Sequence, residues 1–135
     1  MGTAENKQLV SAFFARFDEN DSAGALALMT DDATWWIAGK PGAPGVHGLL
    51  TKAQLTQLFE GMFALFERGM RMTVKSMIAE DDKVAVEVES DGPLKDGRVY
   101  QNDYHLAITV RDGAISAVRE YLDTYYVASL FYPAG

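Results

Sequence analysis

The chain has 135 residues, 48% hydrophobic and 23% charged, with 19 acidic against 12 basic side chains and a net charge of -7. One domain of this length buries a substantial core, and its negative field disfavours nucleic-acid phosphates and anionic lipid as partners. The absence of cysteine removes disulfides, thiol nucleophiles and thiolate metal sites together. MGTAENKQLV lacks a basic region followed by an apolar run, and no apolar stretch reaches membrane-spanning length. A cytoplasmic protein with no membrane partner is the simplest expectation.

From Ala4 to about Phe17, the residues Leu9, Val10, Phe13, Phe14 and Phe17 recur at helical spacing, with Thr3 placed to cap. ENDSAG breaks that helix, and Ser22 is placed to cap a shorter one carrying Ala25, Leu26, Leu28 and Met29. TDDA reads as a turn and ATWWIA as a short strand. GKPGAPGVHG, Gly39 to Gly48, holds four glycines and two prolines and reads as a loop. Thr51 and Gln54 have capping-box spacing, with Leu50 and Leu55 at hydrophobic-staple positions. They open a long helix whose stripe is Leu55, Leu58, Phe59, Met62, Phe63 and Phe66, and which Gly69 ends.

After Gly69 the period becomes two. Met70, Met72, Val74, Ser76 and Ile78 alternate with Arg71, Thr73, Lys75 and Met77. EDDK turns into VAVEVES, DGPLKDG reads as a wider loop, and Asp112-Gly113 is a hairpin dipeptide joining the last two strands. Helices come first and an antiparallel meander follows, which is an α+β arrangement in a single domain, 1–135.

On the strand from Gln101 to Val110, alternation puts Asn102 and Tyr104 on one face with Leu106, Ile108 and Val110. An amide and a phenol on an apolar face need partners, or a cavity to line. Glu87 and Glu89 share a face of the preceding strand, and carboxylates paired in an apolar cavity raise one another's pKa. On periodicity alone Val84, Val86 and Val88 take the core side and these glutamates the solvent side. Both faces of the last strand are mixed, so alternation does not choose a side for Glu120. Trp35 and Trp36 are adjacent, so one points inward and the other out. His47 and His105 are isolated and read as surface or interface residues; without cysteine they make no recognisable zinc site.

The element order, the acidic turn before TWWIAG and the ending RVYQNDYHLAITVRDGAISAVREYLDT resemble the nuclear transport factor 2-like superfamily. Within it the chain is most similar to the SnoaL-like proteins related to polyketide cyclases and ketosteroid isomerases. The resemblance implies a cone-shaped barrel, in which a strongly curved, mostly antiparallel sheet packs on three N-terminal helices around a deep apolar pocket. It also implies a homodimer through the outer sheet face, here Gln101, Asp103, His105, Ala107 and Thr109, with Tyr121, Tyr125, Tyr126, Phe131 and Tyr132 as anchors. Two catalytic patterns of the superfamily are incomplete. Where ketosteroid isomerases carry a first-helix tyrosine, this chain has Phe13, Phe14 and Phe17. The arginine and two aspartates of limonene epoxide hydrolases fall at Glu87, Glu89 and Glu120.

The expectation is an enzyme without cofactor or metal, of acid/base isomerase, cyclase or hydrolase type, acting on a small apolar, cyclic or polyketide-like molecule. Glu120, which the resemblance favours inside, or Glu87 would move a proton, and Tyr104 and Asn102 would stabilise an oxygen. Trp35, Trp36, Glu89, Leu106, Leu122, Phe59, Met62 and Phe63 are the candidate pocket walls. A non-catalytic ligand-binding or dimeric interaction module is the alternative.

Overall fold

A computed structural model describes residues 2–133. The elements run α1 (Thr3–Asp18), α2 (Ser22–Ala27), β1 (Met29–Ile37), β2 (Gly48–Thr51) and α3 (Lys52–Phe63). They continue with β3 (Arg71–Glu80), β4 (Lys83–Pro93), β5 (Val99–Arg111), β6 (Ala114–Leu122) and α4 (Thr124–Phe131). The six strands form one sheet in the order β2-β1-β6-β5-β4-β3. The β1–β6 pair is parallel and the other neighbours are antiparallel. This is the expected α+β layering, but β2 and β3 do not pair with each other, so the sheet is open and not a barrel.

Helix α1 lies on β3 and β4, bringing Val10, Phe13, Phe14 and Phe17 against the inner side of the sheet. Val84, Val86 and Val88 meet them from β4 with no exposed surface. Phe17 joins α1 to α3 through Phe59 and Phe63, at ring-centroid separations of 5.5 and 5.1 Å. Burying such side chains contributes about 1.5–3 kcal/mol each, which makes this aromatic layer the main hold of helices on sheet.

Several local expectations shift. Helix α1 begins at Thr3 behind Gly2, with no side-chain cap, and Asp21 rather than Ser22 caps α2 by accepting from the Gly24 N–H. The capping box of Thr51 and Gln54 is present. Helix α3 stops at Phe63, well before Gly69. Phe66, expected in its stripe, lies beyond the helix and bridges Leu94, and β4 runs on into the expected DGPLKDG loop as far as Pro93. TDDA lies inside β1 instead of forming a turn. The glycine-proline segment is a loop up to Gly48, where strand β2 begins, antiparallel to β1.

Two bulges re-phase the sheet. On β3 the pairing passes from Val74↔Val88 to Ser76↔Glu87, leaving Lys75 as an extra residue. Met77 and Ala79 therefore turn inward, while Ile78 is 74% exposed, opposite to strict alternation. On β6 the pairing passes from Val110↔Ile115 to Thr109↔Ala117, with Ser116 extra. Ile115 and Val118, three apart, then face the same core. A bulge adds one residue and flips the phase of everything beyond it.

Candidate active site

The Ser116 bulge decides where Glu120 goes. With Val118 pointing into the core, the period of two sends Glu120 and Leu122 inward as well. In register, Glu120 lies beside Leu106 on β5 and Ile37 on β1. These side chains form the floor of a cavity of about 830 Å³, whose walls come from α1, α3 and α4. That volume suits a small molecule of several rings.

Most of the lining is apolar, and Glu120 is its one charged side chain among the described residues. Its carboxylate accepts a hydrogen bond from Trp35 Nε1 at 2.8 Å. Trp35 is held in turn by Phe59, ring edge to ring face at 5.6 Å and 80°. Burial pushes the Glu120 carboxyl up to about 7, and the Trp35 bond pulls in the other direction without cancelling it. No ion pair engages Glu120 among the described residues.

Beside it, β5 contributes Tyr100 and Tyr104, both buried and both lining the cavity. Their hydroxyls are 2.5 Å apart. Burial pushes the Tyr100 phenol up to about 12 and the Tyr104 phenol well above its ordinary value, with the Glu120 charge acting on both. Asn102 lies behind them. Its Nδ2 donates to Tyr100 Oη (2.9 Å) and to the Asp123 carbonyl (3.3 Å), and its Oδ1 accepts from the Asp103 N–H (2.8 Å).

The candidates thus divide. Glu120, Tyr104, Trp35, Leu106, Leu122, Phe59 and Met62 converge on the cavity. Asn102 points inward but is buried within the protein rather than in the cavity wall. Phe63 belongs to the core beneath the wall, packed on Phe17 and Phe59. Glu87 and Glu89 lie on the opposite face, exposed, because the fully buried Val84, Val86 and Val88 claim the inner side of β4. Glu87 is therefore not beside the cavity, and Glu89 pairs with Lys75 at 3.4 Å. Trp36 also faces outward, under the Arg119 guanidinium (4.0 Å to the ring centroid) and beside Tyr121. His105 is exposed on that side, while His47 Nδ1 lies 3.1 Å from the Gly45 carbonyl.

Two parts of the site escaped the sequence reading. Tyr100 shares the inward period of Asn102 and Tyr104, and continuing the alternation by one step would have found it. Helix α4 roofs the cavity with Val127, Ala128 and Phe131. Its cap, Asp123 accepting from the Tyr126 N–H, and the apolar run behind it were the available signal. Tyr126 and Phe131 pack on Tyr100 and so are not the outer-face anchors expected of them.

Residues 10–118 match the model of the SnoaL-like domain. The chain belongs to that family. No curated protein matches it in sequence. Among solved structures, an NTF2-like protein from Burkholderia xenovorans LB400 is 30% identical, over 96% of this chain and 97% of that one, with a TM-score of 0.69. TerC co-crystallised with polyporic acid is 24% identical, over 93% and 97% of the two chains, with a TM-score of 0.78. AusH from Aspergillus nidulans is 19% identical over 90% and 86%, with a TM-score of 0.80. The last two likenesses speak for the fold.

Proposed function

We propose that this SnoaL-like protein is an acid/base enzyme that moves a proton on an apolar, cyclic, oxygen-bearing molecule, with Glu120 as the proton carrier. The observation that carries the reading is the Glu120 carboxylate itself. It stands on the floor of an apolar cavity, with no ion pair among the described residues, held by one indole N–H, and burial pushes it up to about 7. A carboxyl near neutrality gives up and takes back a proton with comparable ease, which is the requirement for general acid/base work. Tyr104 stands next to it and supplies an O–H for an oxygen on which charge develops. Apolar walls keep water from screening either interaction. That TerC, of the same fold, was co-crystallised with polyporic acid supports a small organic ligand.

5-Nitrobenzisoxazole tests the base directly. A carboxylate removes its ring C–H, the electron pair forms the nitrile, and the N–O bond breaks to leave a coloured nitrophenolate. The expected rate rises with pH as Glu120 ionises, half-maximal near 7. Glu120→Gln should abolish it while the protein stays folded. A Gln variant as active as the parent would remove Glu120 from the role.

The second copy of a homodimer fits the outer sheet face, where Trp36, Arg119 and Tyr121 form an exposed aromatic and guanidinium cluster. Sedimentation at micromolar concentration should show a dimer that Trp36→Ala weakens; a monomer throughout would reject it.

A further inference from the structure

The hydrogen bonds behind Tyr104 specify what the cavity asks of its ligand. The orientation of the Asn102 amide is fixed twice over. Its Oδ1 faces an N–H, that of Asp103, and its Nδ2 faces a carbonyl, that of Asp123. Towards Tyr100 it is therefore a donor only. The two phenols share a single contact, Tyr100 Oη to Tyr104 Oη, which consumes one of their two O–H groups whichever of them donates. Asn102 consumes none. One phenolic O–H is left without an acceptor inside the trio, and both phenols line the cavity.

The surrounding groups do not take that proton. Glu120 acts on both tyrosines through its charge but hydrogen-bonds neither, and its carboxylate is engaged by Trp35. Ser90 Oγ lies near Tyr104 and keeps one lone pair after its two bonds to the main chain of Asn102 at 3.0 and 3.4 Å, which makes it the competing protein acceptor, but no hydrogen bond within 3.5 Å joins it to either phenol. A buried donor gains free energy from a well-placed acceptor, so a ligand oxygen in the cavity satisfies this O–H better than the more distant Ser90 hydroxyl.

We infer that the ligand of this cavity carries an acceptor oxygen, a carbonyl or the oxyanion of an enol or phenol, seated at the Tyr100–Tyr104 pair, and that Asn102 is the positioning residue that makes the pair a donor. Asn102 touches no ligand. It sets the sign of the hydrogen-bond chain from behind, and replacing it by an acceptor would reverse that sign. In Asn102→Asp an ionised carboxylate takes up one phenolic O–H, so the surplus donor disappears while the side chain keeps its size, at the loss of the bond to the Asp123 carbonyl. This inference rests on the proposed function for the seat of the ligand beside Glu120, not for the proton transfer.

The test uses 2-acetylnaphthalene, labelled with 13C at its carbonyl, and 2-ethylnaphthalene as the oxygen-free control. In the parent protein the bound carbonyl should show an infrared stretch below its value in hydrocarbon solvent. Tyr104→Phe together with Tyr100→Phe should return it to that value. Asn102→Asp at pH 8 should diminish the shift and weaken the ketone about tenfold, the scale of one hydrogen bond, with 2-ethylnaphthalene affinity unchanged. An equal shift in parent and Asn102→Asp would overturn the role of Asn102, since a merely structural amide would not alter it. A ketone bound without any shift in the parent would overturn the acceptor seat. Either failure leaves the 5-nitrobenzisoxazole result standing, because that reaction reads Glu120 alone.

Discussion

Glu120 and the pair Glu87 and Glu89 are the same side chain on neighbouring parts of one sheet, and their surroundings differ completely. Glu120 faces the helices across an apolar cavity, takes one hydrogen bond from an indole and is raised to about 7. Glu87 and Glu89 face away, exposed, with Lys75, Asp103 and His105 around them. What separates them is the phase of each strand. On β4 the valines fix the phase without interruption; on β6 one extra residue, Ser116, shifts it. A carboxylate becomes a candidate catalyst here through the register of its strand, not through any motif around it.

The sharpest way to break that comparison is kinetic. Glu120→Gln should lower the rate with 5-nitrobenzisoxazole by at least about a hundredfold, the lower end of what one general base supplies. Glu87→Gln and Glu89→Gln should stay within about twofold. A loss from the outer glutamates equal to that from Glu120 would end the distinction between the two faces.

Stability gives the next largest effect, and its sign follows from linkage. Between the ordinary value of 4.5 and about 7, folded Glu120 keeps a proton that the unfolded chain has released. The folded state therefore binds more protons in this window, and stability falls as pH rises through it. The full penalty above the window is about 3 kcal/mol. Glu120→Gln keeps an acceptor for Trp35 Nε1 and removes the titration. The variant should unfold at higher denaturant than the parent at pH 8.5, and the two should converge near pH 4.5. A variant that is less stable at pH 8.5 would show that the carboxylate is not desolvated.

Much of this architecture was legible. The helical stripe of α1, the capping box at Thr51 and the inward run from Asn102 to Val110 all follow from spacing, because each is fixed within one element. The failures come where pairing between strands overrides local period. No glycine or proline at Lys75 or Ser116 marks a bulge, and strict alternation continued from Met72 puts Ser76, Ile78 and Met77 on the opposite sides to those they take. Glu120 could be placed inward only by resemblance. Glu87 and Glu89 show the reverse case: period alone excluded them, and the epoxide hydrolase pattern argued for them against it. Asn102 was assigned the right face but the wrong reach, because a period says which way a side chain points and not which atom it meets.

Trp35→Phe sharpens the account of Glu120 from the inside. The indole bond is the influence that lowers the carboxyl's pKa against burial, so losing it should move the midpoint of the pH–rate curve upward. The stability cost of that hydrogen bond should be about 1 kcal/mol. Trp36→Phe, on the other face, should leave the midpoint where it was. A midpoint that moves equally in both variants would mean that the shift comes from general loosening of β1.

The smallest effect belongs to the outer face. Lys75 and Glu89 stand 3.4 Å apart, with side chains 44% and 53% exposed. Water screens their attraction, and ordering two long side chains offsets most of what remains. Lys75 is also the bulged residue of β3, so its backbone is held by neighbouring ladder bonds whatever its side chain does. A double-mutant cycle with Lys75→Ala and Glu89→Ala should give a coupling of about 0.5 kcal/mol or less in dilute buffer, falling toward zero in molar salt. The buried and exposed carboxylates would then differ several-fold in their hold on stability. A coupling above about 2 kcal/mol that survives salt would place the outer glutamates in a desolvated environment, as a second copy docked on that face would create.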